Sequence, residues 1–184
     1  MVEFIVNYMP ERIDNVNAME QQLPDLIKNY SPDKDAMGGY LDCLKVGGNV
    51  PMVLLEDDVV LCKDFKNKIL RVIAEKKNVI IQFFSMRKKD LTIGSRYEYG
   101  RTFCMNQCVY FPKGYGNLIY DYYNDWERKD EHPTAYDYLI ADFLKSRREN
   151  YYLSVPSLVQ HISGKSLIDK RRSSKRQSLT FKEE

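Results

Sequence analysis

Two periodicities divide the chain. Short apolar runs at residues 2–6, 52–55, 79–84, 102–111 and 151–155 predict strands. Between them, apolar residues recur at helical spacing. Ile13, Val16, Met19 and Leu23 predict a helix that Asp14 can cap and Pro24 interrupts. Met37, Tyr40, Leu41 and Leu44 predict a second over 36–45, capped by Asp35 and stopped by Gly47-Gly48. Phe65, Ile69, Val72 and Ile73 mark a third over 63–76. Leu118, Ile119, Tyr122, Tyr123 and Trp126 form a tyrosine-rich stripe opened by Lys113-Gly-Tyr-Gly, and Tyr136, Leu139, Ile140, Phe143 and Leu144 give a last helix over 135–148. Residues 85–101 and 156–166 read as loops and 125–131 as a charged turn. Strands alternating with helices predict an α/β fold, one mostly parallel sheet flanked by helices.

The run from Met52 to Leu55, bounded by Gly47, Gly48 and Pro51, has the pattern of a strand buried on both faces. It ends in three carboxylates, Glu56, Asp57 and Asp58, which places them at the carboxyl edge of the sheet, where open α/β folds bind ligands. If extended geometry persists, Glu56 and Asp58 point the same way and can share a hard divalent cation. The same acids could instead only cap the helix starting near Lys63, or sit in a solvated turn.

Composition narrows the class. With 184 residues, 43% apolar and 29% charged, the chain has the length and balance of one globular domain. No apolar run approaches a membrane span, and the N-terminus lacks a signal-peptide pattern. Cys43, Cys62, Cys104 and Cys108 show no zinc-type pairing and read as reduced thiols of a cytoplasmic protein. Net charge is +2, but residues 163–184 carry seven Lys or Arg against three acids, hence +4. That divides the chain into a domain over 1–166 and a basic tail over 167–184, whose Lys170, Arg171, Arg172, Lys175 and Arg176 could contact a nucleic-acid backbone or remain solvated. A Gly-x-Gly-x-x-Gly fingerprint, a Walker-type loop and a nucleophile elbow are all absent, which argues against dinucleotide enzymes, P-loop kinases and serine hydrolases.

Asn49-Val-Pro-Met-Val-Leu-Leu-Glu-Asp-Asp-Val59, followed by Phe65, resembles the acidic metal-binding segment of small GT-A type glycosyltransferases. The similar branch carries Leu-Glu-Asp-Asp and includes lipopolysaccharide and collagen-type sugar transferases and small phage or bacterial enzymes. Tyr8-Met-Pro-Glu-Arg12, residues 35–44, Cys104-Met-Asn-Gln-Cys-Val-Tyr-Phe-Pro112 and Leu153-Ser-Val-Pro-Ser-Leu-Val-Gln-His-Ile162 are similar to further segments of that family, in order, up to about Ser166.

The resemblance implies a metal-dependent transfer of sugar from a nucleotide sugar, most simply a UDP-sugar, to an acceptor hydroxyl. It implies Mn²⁺ or Mg²⁺ held by Asp58, with Glu56 and His161 completing the site. Asp57, Arg12 and Lys165 are then the candidates for holding the nucleotide. Asp137 is the candidate general base, although Thr134-Ala-Tyr-Asp137 also reads as a variant capping box. The acceptor is expected to be a saccharide or, given the basic tail, a modified DNA base such as a phage carries. A non-catalytic binding module of the same fold and a nucleotidyltransferase are the rivals. The latter is disfavoured because the loop from Asn7 to Arg12 contains no glycine.

Overall fold

The computed structural model describes residues 1–164, 167 and 176–184. In chain order its elements are β1 (Glu3–Tyr8), α1 (Ile13–Gln22), β2 (Ile27–Tyr30), α2 (Ala36–Val46), β3 (Met52–Glu56), β4 (Val59–Leu61), α3 (Phe65–Lys76), β5 (Ile81–Gln82), α4 (Asp90–Ile93), β6 (Arg96–Tyr99), β7 (Cys108–Phe111), α5 (Tyr115–Asn124), α6 (Tyr136–Ser146), β8 (Asn150–Leu153) and β9 (Val159–His161).

Strand period sorts the core into two layers. In β1, Phe4 and Val6 face one side and Ile5 the other; in β3, Val53 and Leu55 oppose Met52 and Leu54. The first side packs against Val16 and Met19 of α1 and Phe65, Ile69 and Ile73 of α3. The second packs against Met37, Tyr40 and Leu44 of α2, Ile119 of α5 and Leu139, Ile140 and Phe143 of α6. A sheet covered on both faces explains why its central strands are continuously apolar.

Seven strands form the sheet in the order β2-β1-β3-β7-β5-β8-β6, and β4 pairs with β9 separately. β2, β1, β3, β5 and β8 run one way, with β7 and β6 opposed, so the sheet is mostly parallel, as expected. From β1 the chain passes through α1 to β2 on one side, then through α2 to β3 on the other side of β1. The strand order therefore reverses between β1 and β3. A crevice opens at the carboxyl ends of strands at such a switch point.

Several short elements depart from the sequence reading. Residues 85–101, expected as a loop, contain α4 and the edge strand β6, in which Arg96 pairs with Asp90 and Glu98 at 2.7 Å each. The loop expected over 156–166 contains β9, and β2 and β4 were not anticipated as strands. Trp126 follows α5 rather than belonging to it. Asp142 of α6 accepts hydrogen bonds from Trp126 Nε1 and Arg128 Nη1, both at 3.0 Å. Residues 176–184 return to the body. Ser178 N–H donates to Gln160 Oε1 at 2.8 Å, Phe181 packs on the α1/α3 core, and Lys63 N–H donates to Glu183 O at 2.8 Å. Lys165, Lys170, Arg171, Arg172 and Lys175 lie outside the described residues.

Candidate active site

Strand geometry stops at Glu56, so the three acids separate instead of alternating. Asp57 turns back toward β1, where its Oδ2 accepts the Met9 N–H at 2.9 Å, and Asn15 of α1 donates to the carbonyls of Asp57 and Val59. These bonds fasten the turn after β3 to the end of β1 and to α1. Burial pushes the Asp57 carboxyl up to about 6, against the opposing pull of the Met9 N–H.

Asp58 is brought to His161 by the β4–β9 ladder. Val59 lies opposite His161, and Ile162 N–H donates to Asp58 O at 2.8 Å. His161 Nε2 stands 3.0 Å from Asp58 Oδ2 without hydrogen-bond alignment, and the imidazole is only 1% exposed. Asp58 Oδ1 and both ring nitrogens of His161 are buried without a hydrogen-bond partner. Burial opposes ionisation of Asp58, but His161, Arg176 and Arg12 outweigh it and hold this carboxyl below its ordinary range.

Glu56 goes elsewhere. Its Oε1 accepts the Tyr136 hydroxyl at 2.6 Å and its Oε2 accepts Gln107 Nε2 at 3.0 Å. Tyr136 is stacked on Tyr40 with centroids 4.4 Å apart at 11°, and Tyr40 OH donates to Asn106 Oδ1 at 3.3 Å. Burial, then the neighbouring Asp58, raises the Glu56 carboxyl to about 8, so it is protonated at neutral pH.

These groups line a cleft of two lobes. The first runs from Asn7, Tyr8 and Arg12 past Asp57 and Asp58 to Tyr40. A Cβ on Gly39 would come within 2.7 Å of the Asn7 side-chain amide and 2.8 Å of Ser31 Oγ, so a larger residue there would have to displace both side chains. The second is lined by Met86, Met105, Gln107, Asp137 and Tyr138 among others. Glu56, Asn106, Tyr136 and Arg176 border both lobes.

No family model matches this chain, and no curated protein matches it. Among solved structures, it is similar to a protein described as a glucose-1-phosphate thymidylyltransferase from Bacillus anthracis, determined in complex with sucrose. Identity is 12% and the TM-score 0.49, over 86% of this chain and 69% of that one. It is also similar to A197 from STIV, at 12% identity and a TM-score of 0.46, over 96% of this chain and 91% of that one.

Of the residues singled out from the sequence, Asp58 and His161 meet, while both oxygens of Glu56 are engaged by Tyr136 and Gln107. Arg12 and Asp57 line the first lobe, and Asp137 lines the second. α6 starts at Tyr136 behind Ala135, which supplies no side-chain cap, so Asp137 is its second residue and not the third position of a box. Among the described residues, no three His, Cys, Asp or Glu side chains converge as a metal cluster. An Asp–His pair with an unpartnered carboxylate oxygen nevertheless fits two protein ligands of a cation whose remaining positions go to phosphate oxygens and water.

Sequence reasoning missed Arg176 as a site residue. Its Nη2 lies 3.7 Å from Asp58 Oδ2, and its Nε is buried without a partner. Its placement depends on the Ser178–Gln160 bonds that pin the returning chain to β9, a long-range contact without a local sequence signal. Asn106, Gln107 and Tyr136 were likewise read only as parts of a strand–helix segment and a core stripe.

Proposed function

We propose that this chain is a transferase acting on a nucleotide-activated sugar, with the nucleoside diphosphate, most simply UDP, in the first lobe and the acceptor entering from the second. The observation that carries this reading is the Asp58–His161 pair with Arg176 beside it, at the carboxyl end of β3 where the strand order reverses. A diphosphate placed there meets one guanidinium and one carboxylate–imidazole pair. Mn²⁺ or Mg²⁺ held by Asp58 and His161 would supply charge neutralisation for the leaving diphosphate. An imidazole ligand favours Mn²⁺.

The chain's own groups do the rest. Arg176, with its unpartnered buried Nε, donates to phosphate oxygens. Arg12 flanks the same lobe and Asp57 holds the crevice in shape through Met9. In a direct displacement the acceptor oxygen bonds to the anomeric carbon and the bond from that carbon to the diphosphate oxygen breaks. Its electron pair leaves on the diphosphate, and the hydroxyl proton passes to Asp137, the ionisable carboxyl on the acceptor side. Tyr136 and Gln107 hold Glu56, and burial together with the neighbouring Asp58 raises its carboxyl, so two adjacent carboxylates do not ionise together.

Titration calorimetry of UDP with and without Mn²⁺ tests this. Wild-type affinity should rise with the metal, and Asp58→Ala and His161→Ala should each lose that increment while melting cooperatively. Metal-dependent UDP binding that survives in both variants removes the site. Mass spectrometry of products from a panel of nucleotide sugars then tests sugar transfer, which leaves the nucleoside diphosphate, and a parallel incubation with nucleoside triphosphates and sugar 1-phosphates tests nucleotidyl transfer, which releases pyrophosphate.

A further inference from the structure

The loop before β7 is built against local preference. Met105 has φ of +75°, a left-handed conformation that a non-glycine residue rarely adopts. Gln82 of β5, 1% exposed, holds it there by donating its Nε2 to the carbonyls of Cys104 and, at 3.1 Å, Met105. The turn delivers the next two side chains to the second lobe. Asn106 and Gln107 are each 4% exposed and line that lobe. Each spends one amide atom on the protein, Asn106 Oδ1 on Tyr40 and Gln107 Nε2 on Glu56. The other atom of each, Asn106 Nδ2 and Gln107 Oε1, is buried without a partner. Buried polar groups are rarely left so, because each loses its hydration with nothing in return unless something binds.

The lobe therefore offers one donor, one acceptor and the Asp137 carboxylate on its polar side. Phe84, Met86, Met105 and the half-exposed Tyr138 ring form its apolar side. Its ionisable groups are Glu56, Asp137 and, at the border with the first lobe, Arg176. Mixed hydroxyl recognition beside an apolar platform suits a pyranose, whose edge is polar and whose C–H face is not.

We propose that the second lobe binds a neutral sugar ring, hydrogen-bonded by Asn106 Nδ2, Gln107 Oε1 and Asp137 and packed on Met86, Met105 and Tyr138. This rests on the transferase reading above, in which the ring is the acceptor. It makes a saccharide, not a DNA base, the second substrate, and it makes Gln82 and Met105 the residues that position the recognition amides.

The methionines provide the test, because Met9 lines the first lobe and Met86 and Met105 the second. The full chain carrying ¹³C-methyl methionine is titrated with methyl glucopyranoside, methyl galactopyranoside and methyl N-acetylglucosaminide, each with and without UDP–Mg²⁺. A thymidine oligonucleotide is the competing probe. At least one glycoside should shift Met86 and Met105 saturably. Asn106→Leu should weaken that affinity about tenfold, the scale of one lost hydrogen bond. Tyr138→Ala, at a half-exposed ring, should weaken it comparably. Met86 and Met105 silent to every glycoside, or responding to the oligonucleotide alone, overturns the proposal. Met9 silent to UDP–Mg²⁺ while the glycoside shifts persist overturns instead the nucleotide reading of the first lobe.

Discussion

Asp137 is where chemistry and local structure can be told apart by one substitution. Asp137→Asn keeps the side-chain shape and removes basicity. As general base its loss should lower turnover about 10²–10⁴-fold with nucleotide affinity and melting temperature little changed. Full activity with earlier melting would assign the residue to helix stability. The neighbouring acids show why such tests are needed at the level of single residues. Strand geometry extends only to Glu56, where β3 ends, so the partners of each carboxylate are set by the turn and not by strand alternation. Asp57 binds a backbone N–H, Asp58 faces His161, and Glu56 is held by a tyrosine and a glutamine. The three acids and His161 were legible as chemistry-bearing residues, but their division of labour depends on partners just after β1, just before β7, in β9 and in α6.

Among the elements, the long ones were readable and the short ones were not. α2, α3 and α6 run 11 or 12 residues, enough for two or more turns of apolar period. β2, β4, β6 and β9 are three or four residues long, at or below the length at which alternation can be distinguished from chance. β6 was also disguised by its charges, since Arg96 and Glu98 are tolerated there only because they pair with each other and with Asp90 and Lys89. The C-terminal residues belong to this class. Polar composition suggested a solvated tail, whereas 176–184 use Ser178, Thr180 and Phe181 to dock on β9, Ser157 and the α1/α3 core. If this segment is a clasp for Arg176, Phe181→Ala should lower stability by about 1–2 kcal/mol for its partly buried ring. Arg176→Gln should leave the melting temperature near wild type but weaken UDP binding about tenfold or more, as loss of a charge-assisted contact does. Calorimetry and thermal melts on the two variants check this. Equal UDP affinity in Arg176→Gln would remove Arg176 from the diphosphate site.

For the whole molecule, the cleft acids make stability depend on pH in a direction opposite to that of most carboxylates. Glu56 is raised to about 8 and Asp57 to about 6, each chiefly by burial, so between the ordinary carboxylate range and those values the folded chain binds protons that the unfolded chain has lost. Their contribution is fully present below about pH 4 and is lost as pH rises through about 6 for Asp57 and about 8 for Glu56. Asp58 and Glu98 are lowered and act with the opposite sign, at the acid end. Across neutral pH the Glu56 proton dominates, and one proton of difference changes stability by about 1.4 kcal/mol per pH unit. The fold should therefore be less stable at pH 8 than at pH 6. Glu56→Gln keeps the acceptor for Tyr136 and cannot ionise, so its stability advantage over wild type should grow from pH 5 to pH 8 and level off above. Urea denaturation of both chains across that range measures the slope directly. A wild-type curve parallel to that of Glu56→Gln would mean that Glu56 ionises near its unfolded pKa, and that Tyr136 and Gln107 hold a carboxylate instead of a carboxylic acid between the two lobes.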